Sequence, residues 1–123
     1  MAGTVTTAEL NPVENLTKIQ FDWLSDANGD ATADTTKVYT GEIILAVFEP
    51  DSGGTQPTDQ YDVEVTDADG YDVLNGQGAN CSNAANAIKT KEDKLGAVVG
   101  SILSLAVSNA GNAKGGIVTL IIR

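Results

Sequence analysis

Histidine is absent from this 123-residue chain, which removes the side chain that most often serves as a general base near neutral pH. The single cysteine, Cys81, excludes an internal disulfide framework and, without an imidazole to ionise it, makes a poor nucleophile. Aromatics are scarce, with one Trp, three Tyr and two Phe, too few to furnish both a core and a stacking cleft for sugars. Bases are scarce as well: 7 Lys and Arg stand against 17 Asp and Glu, for a net charge of -10. Free nucleic acid is repelled by such a chain and is not an expected partner. Apolar runs such as residues 43–48 end well short of the roughly 20 residues that a membrane helix needs. The first residues, Met1 to Thr7, have neither the basic start nor the apolar stretch of a secretory signal. A soluble, non-enzymatic protein with no membrane partner is expected.

What remains is a pattern of short strands and turns. Residues 61–74 carry the clearest signal: Tyr61, Val63 and Val65 alternate with Asp62, Glu64 and Thr66, as in a strand with one buried and one wet face. Asp67-Ala68-Asp69-Gly70 then reverses the chain, and Tyr71 to Leu74 is expected to return as the second arm of a β-hairpin. Further strands are expected at residues 16–24, with Phe21 and Trp23 anchoring the core, at 38–49, apolar on both faces and therefore central, at 98–109 and at 117–123. Residues 82–88 suit one or two helical turns, followed by a charged connector to Leu95. Six or seven short strands joined by Gly, Asn and Asp turns, without a repeated strand–helix unit, give an all-β fold. It is an antiparallel β-sandwich or small barrel with at most one short helix. Residues 16–123 form its single domain, and residues 1–15, with Pro12 and no periodicity, form an extended N-terminal arm.

Two acidic turns invite a reading as chemistry. Asp26-Ala27-Asn28-Gly29-Asp30 places oxygens at alternate positions, as the start of a calcium loop does. The match fails further on, where Ala31 replaces the required Gly and Lys37 stands where the bidentate Glu belongs. Asp67, Asp69 and Asp72 are a second weak candidate for a hard cation, and Asp69 with Asp72, or Glu64 with Asp67, are the carboxylate pairs a glycosidase would use. With no histidine and few aromatics, both clusters read better as turn-forming and solvated carboxylates. Gly76-Gln77-Gly78 lacks the third glycine and the helix of a dinucleotide loop. No resident metal and no cofactor is expected.

Assembly is the better-supported purpose. Residues 1–80 hold 15 of the acids and 2 of the bases, whereas residues 81–123 hold 2 acids and 5 bases. If Lys89, Lys91, Lys94, Lys114 and Arg123 share a surface, that basic patch is expected to meet the acidic surface of another copy or of a larger assembly; the alternative is solvated charges spread around one domain. The arm, through Thr4, Val5, Leu10, Pro12 and Val13, is expected to add to a neighbour as a strand. The last strand, through Ile117, Leu120 and Ile122, is apolar on both sides and would be a hazardous edge unless covered.

Three segments together resemble small virion structural proteins of tailed bacteriophages. They are Phe21-Asp22-Trp23 leading into residues 26–31, the Tyr61–Leu74 region with Gly76 to Asn80, and Leu103 to Gly111 with Lys114-Gly115-Gly116. The resemblance covers about two thirds of the chain. It implies a capsid decoration or cement protein, trimeric, bound to a major capsid protein on the outer capsid surface. Such a protein is assembled in the host bacterial cytoplasm and resides in the virion. A tail, adaptor or fibre-associated subunit is the alternative within that class. Outside it stands a carbohydrate- or receptor-binding module using the Gly53-Gly54 loop or the Tyr61 and Tyr71 region.

Overall fold

The computed structural model describes residues 3–9 and 16–123. Among the described residues there are nine strands: β1 (Thr4–Glu9), β2 (Thr17–Leu24), β3 (Ala31–Asp34), β4 (Tyr39–Pro50), β5 (Asp62–Thr66), β6 (Ala87–Thr90), β7 (Ala97–Ser101), β8 (Ser104–Ser108) and β9 (Gly115–Ile122). The expected all-β class holds, and the helical content of the described residues is two single 3-10 turns, Gly53–Thr55 and Lys91–Asp93. The larger sheet has the order β1-β2-β9-β4-β6, with β7 also on β4, and curls into a half-barrel. The smaller has the order β3-β8-β5. All pairings are antiparallel.

The core lies between the sheets. The larger contributes Ile19, Phe21, Trp23, Ala46, Phe48, Val118, Leu120 and Ile122, and the smaller contributes Ala31, Val63, Val65, Leu105 and Val107. Each fully buried large side chain of this kind stabilises the fold by about 1.5–3 kcal/mol relative to exposure. Trp23 meets Tyr61 with ring centroids 5.5 Å apart.

Several expectations are corrected. Residues 4–9 are not a free arm: they pair residue by residue with β2, from Thr4 opposite Leu24 to Glu9 opposite Ile19. Leu10, Pro12 and Val13 lie outside the described residues. The final strand is not an edge, because β9 sits between β2 and β4 and both of its ladders are filled. Tyr71 to Leu74 does not form a second hairpin arm. Only the Thr66–Asp72 bridge forms, and Asp72 then turns the chain through residues 73–79; the ladder of β5 is with β8, on its other side. Residues 82–88 are not helical, and β6 begins within them.

Two strands hold features that a strict period of two cannot predict. In β4, Ile43 pairs with Ile122 and Leu45 with Ile121, so Ile44 is an extra, bulged residue. A bulge changes parity, and the buried set accordingly switches from Tyr39 and Ile43 to Ala46 and Phe48. The apolar run at 98–109 is not one strand but two. The chain leaves β4's side at Ser101 and enters the smaller sheet at Ser104, after Gly100 takes a φ of 55°. Thr35, 4% exposed, holds this corner: its Oγ1 accepts from the Leu103 amide at 3.0 Å and donates to the Lys37 carbonyl at 2.9 Å.

Candidate functional site

The two acidic loops are copies of one turn. Asp26 Oδ1 accepts from the amides of Asn28 at 2.8 Å and Asp30 at 3.0 Å, while its own amide donates to the Asp30 carbonyl. Asp67 Oδ1 accepts from the amides of Asp69 and Tyr71, both at 3.0 Å, and its amide donates to the Tyr71 carbonyl. In each loop the fourth residue is a glycine at positive φ, Gly29 at 84° and Gly70 at 89°. This is a three-residue reversal ending in a left-handed glycine, locked by an aspartate that replaces missing backbone partners. The alternate oxygens that resemble a calcium loop follow from that turn. Asn28, Asp30 and Asp69 point to solvent.

Asp72 does a related job. Its Oδ1 accepts from the Leu74 amide at 3.0 Å and its Oδ2 from the Gly76 amide at 2.8 Å. Asp62 accepts from the Asn80 amide at 2.9 Å and from Asn109 Nδ2 at 2.6 Å. Asp62, Glu64 and Asp72 line a depression of about 370 Å³ on the outer face of the smaller sheet, floored by Gly76, Ala79 and Ala106. No aromatic lines it, and two of its three carboxylates are already committed to amide donors. Among the described residues no three Asp, Glu, Cys or His side chains are placed to hold a metal ion. The lining offers no aromatic stacking surface.

Cys81 is equally committed to structure. It is 4% exposed, its Sγ donates to the Gly78 carbonyl at 3.2 Å, and burial, reinforced by Asp62, pushes its thiol up to about 11. A thiol so raised stays protonated at neutral pH and does not attack.

The predicted assembly residues scatter. Thr4 is exposed and Val5 packs against the core. Leu120 and Ile122 are buried inside the sandwich and unavailable to a partner, whereas Ile117 faces outward, half-buried. Lys91 forms an ion pair with Glu42 at 3.3 Å, Lys94 is exposed in the left-handed residue that ends the same turn, and Lys89 is half-buried on β6. Glu92 and Asp93 share that turn. Lys114 and Arg123 flank opposite ends of β9, about 30 Å apart at strand rise. The bases therefore form no single pole.

Sequence reasoning missed a clamp at Glu9. Its carboxylate accepts from Thr36 Oγ1 at 2.6 Å, Tyr39 Oη at 2.6 Å and the Lys37 amide at 3.2 Å, which ties the end of β1 to the β3–β4 connection. Burial raises the Glu9 pKa, but the bonds from Thr36, Tyr39 and Lys37, with the Lys37 charge, outweigh it and hold the carboxyl below its ordinary value. A lone Glu at the end of a polar strand gives no sequence signal for this.

The outward face of the larger sheet is the remaining surface of note. Leu45, Val47, Ile117 and Ile121 are half-buried there and Ile88 is 61% exposed. No family model, curated protein or solved structure matches the chain.

Proposed function

We propose that this protein is a non-enzymatic structural component of a tailed-bacteriophage particle, a decoration or cement protein that self-associates and stabilises contacts between major capsid subunits from outside. The observation that carries the non-enzymatic part is the use made of its carboxylates. Asp26, Asp67 and Asp72, half of each pair or cluster that a catalytic or metal reading would use, are spent on amide donors within their own loops, and Asp30, Glu64 and Asp69 face solvent. The outward apolar face of the larger sheet supports the assembling part, because contiguous apolar surface left in water marks contact sites. The virion assignment rests on the sequence resemblance.

The decisive experiment is quantitative mass spectrometry of purified phage particles that encode the chain. Hundreds of copies per particle are expected of a decoration protein. A dozen or so would move it to the tail, adaptor or fibre, and absence from the particle would refute the virion reading. Mass in solution tests the trimer that the resemblance implies.

A further inference from the structure

The outward face of the larger sheet has an order that its own fold does not require. A central row, Gln20, Thr119, Val47 and Ile88, crosses β2, β9, β4 and β6. Two residues along the strands to one side lie Lys18, Ile121 and Leu45, and two residues to the other side lie Asp22, Ile117 and Glu49. Every one of these residues is exposed or half-buried. Five large apolar side chains thus share one solvent-facing surface, where isolated ones are the norm for a monomer.

The charges on this surface have a polarity. The cation, Lys18, stands about 7 Å to one side of the central row and the carboxylates of Asp22 and Glu49 about 7 Å to the other, at two strand residues each. A two-fold axis lying in the contact plane along the central row reverses the strand direction of a second copy. It lays Lys18 of each copy over Asp22 of the other and Ile121 over Ile117, and sets the carboxylate of Glu49 against Leu45, where only its exposed end keeps it in water. The alternative in-plane axis, parallel to the strands, sets the carboxylate row over itself and is opposed by like charge. Of the two in-plane axes, only the first brings opposite charges together.

We propose that this face is an isologous interface between two copies of the chain. The proposal rests on the self-association in the function proposed above and gives it two-fold symmetry, in place of the three copies that the resemblance implies. Four strands about 4.8 Å apart and three rows about 7 Å apart cover roughly 400 Å² per copy. The total of roughly 800 Å², an upper value because the sheet curls, lies below the roughly 1,200 Å² of a standard specific interface, so the dimer is weak and concentration-dependent.

The test is sedimentation equilibrium of the full chain and its variants up to about 1 mM, the range where a weak complex is populated. The wild-type chain is expected to approach twice its 12.7 kDa mass. Val47→Lys, in the middle of the central row, should abolish the dimer. Lys18→Glu and Asp22→Lys should each weaken it at least about tenfold, as like charges meet across the axis. The double variant K18E/D22K, with the polarity reversed in both copies, should restore affinity to within about threefold of wild type. Circular dichroism melts guard against misfolding, which these outward positions should not provoke. A wild-type chain that stays monomeric, a dimer indifferent to Val47→Lys, or a double variant as weak as the singles overturns the proposal. A trimer that survives Val47→Lys overturns it too, while leaving the decoration reading intact. A dimer that behaves as expected in a chain absent from phage particles supports the interface and refutes the virion role.

Discussion

Glu9→Ala should loosen β1 far more than it loosens the rest of the protein. No residue of β1 is fully buried, so the strand is held by its ladder to β2, by Val5 on the core and by the Glu9 clamp. The substitution removes three hydrogen bonds and leaves the hydroxyl of Tyr39, a residue only 7% exposed, without its partner. Bonds to a charged group are worth about 1.5–3 kcal/mol when well buried. Glu9 is half-exposed, and water screens and replaces part of that, so about 1 kcal/mol is the reasonable magnitude. Hydrogen exchange reads the consequence locally, and about 1 kcal/mol corresponds to roughly fivefold faster opening of the β1–β2 amides. The β4–β9 amides should keep their wild-type protection. The effect also has a pH signature. The folded carboxyl titrates below its ordinary value, so its stabilisation is complete above the unfolded pKa and is lost as pH falls through the folded one. Wild type and Glu9→Ala should therefore differ at neutral pH and converge in acid, and Glu9→Gln should fall between them at neutral pH. Equal exchange of β1 amides in wild type and Glu9→Ala at pH 7 would refute the clamp.

Three further outcomes follow from the same geometry. Asp26→Ala and Asp67→Ala each remove two side-chain-to-amide bonds from equivalent turns, so each should lower the denaturant midpoint and the two losses should add. Gly41→Ala should be much more damaging than Gly70→Ala in thermal melts: a Cβ at Gly41 would lie 2.5 Å from the Arg123 carbonyl, whereas one at Gly70 meets nothing within 4 Å and costs only the roughly 1 kcal/mol of positive φ. Cys81 should resist a thiol reagent in the native protein and react at once in denaturant, and fast native labelling would contradict its burial.

The class and most strand positions were legible because they depend on alternation alone. Phe21 and Trp23 lie on one side of β2 and Val118, Leu120 and Ile122 on one side of β9, as period two requires. What escaped were the places where a single residue breaks the period. Nothing in Ile43-Ile44-Leu45 marks which of three apolar residues bulges, since each fits either face. In the run from Val98 to Asn109 the apolar pattern continues through a corner that only Gly100 and the bonds of Thr35 reveal. The hairpin at 61–74 failed for a related reason: Asp72 looks like a wet strand residue but serves as an amide cap, which ends the strand before it begins. The candidate metal residues were legible as turn formers, and the clamp at Glu9 was not legible, because its donors come from residues 36–39 across the fold.

The sheet edges bear on how copies of this chain can meet. Strand addition needs a long, flat edge, and each edge here is closed, short or charged. β1 is held against its neighbours at both ends, by Gly3 packed on the Asp30 carbonyl and by Glu9 on the β3–β4 connection. The far side of β4 is taken by β6 and β7, of four and five residues, with the Lys91–Asp93 turn between them. β3 has four residues and ends in Asp34, and β5 carries Asp62 and Glu64. Natural proteins use such short and charged edges to prevent edge-to-edge pairing. With the edges guarded, the outward face of the larger sheet is the surface on which apolar area and charge order coincide, and the contact proposed through that face needs none of the strand addition that a free N-terminal arm would have supplied.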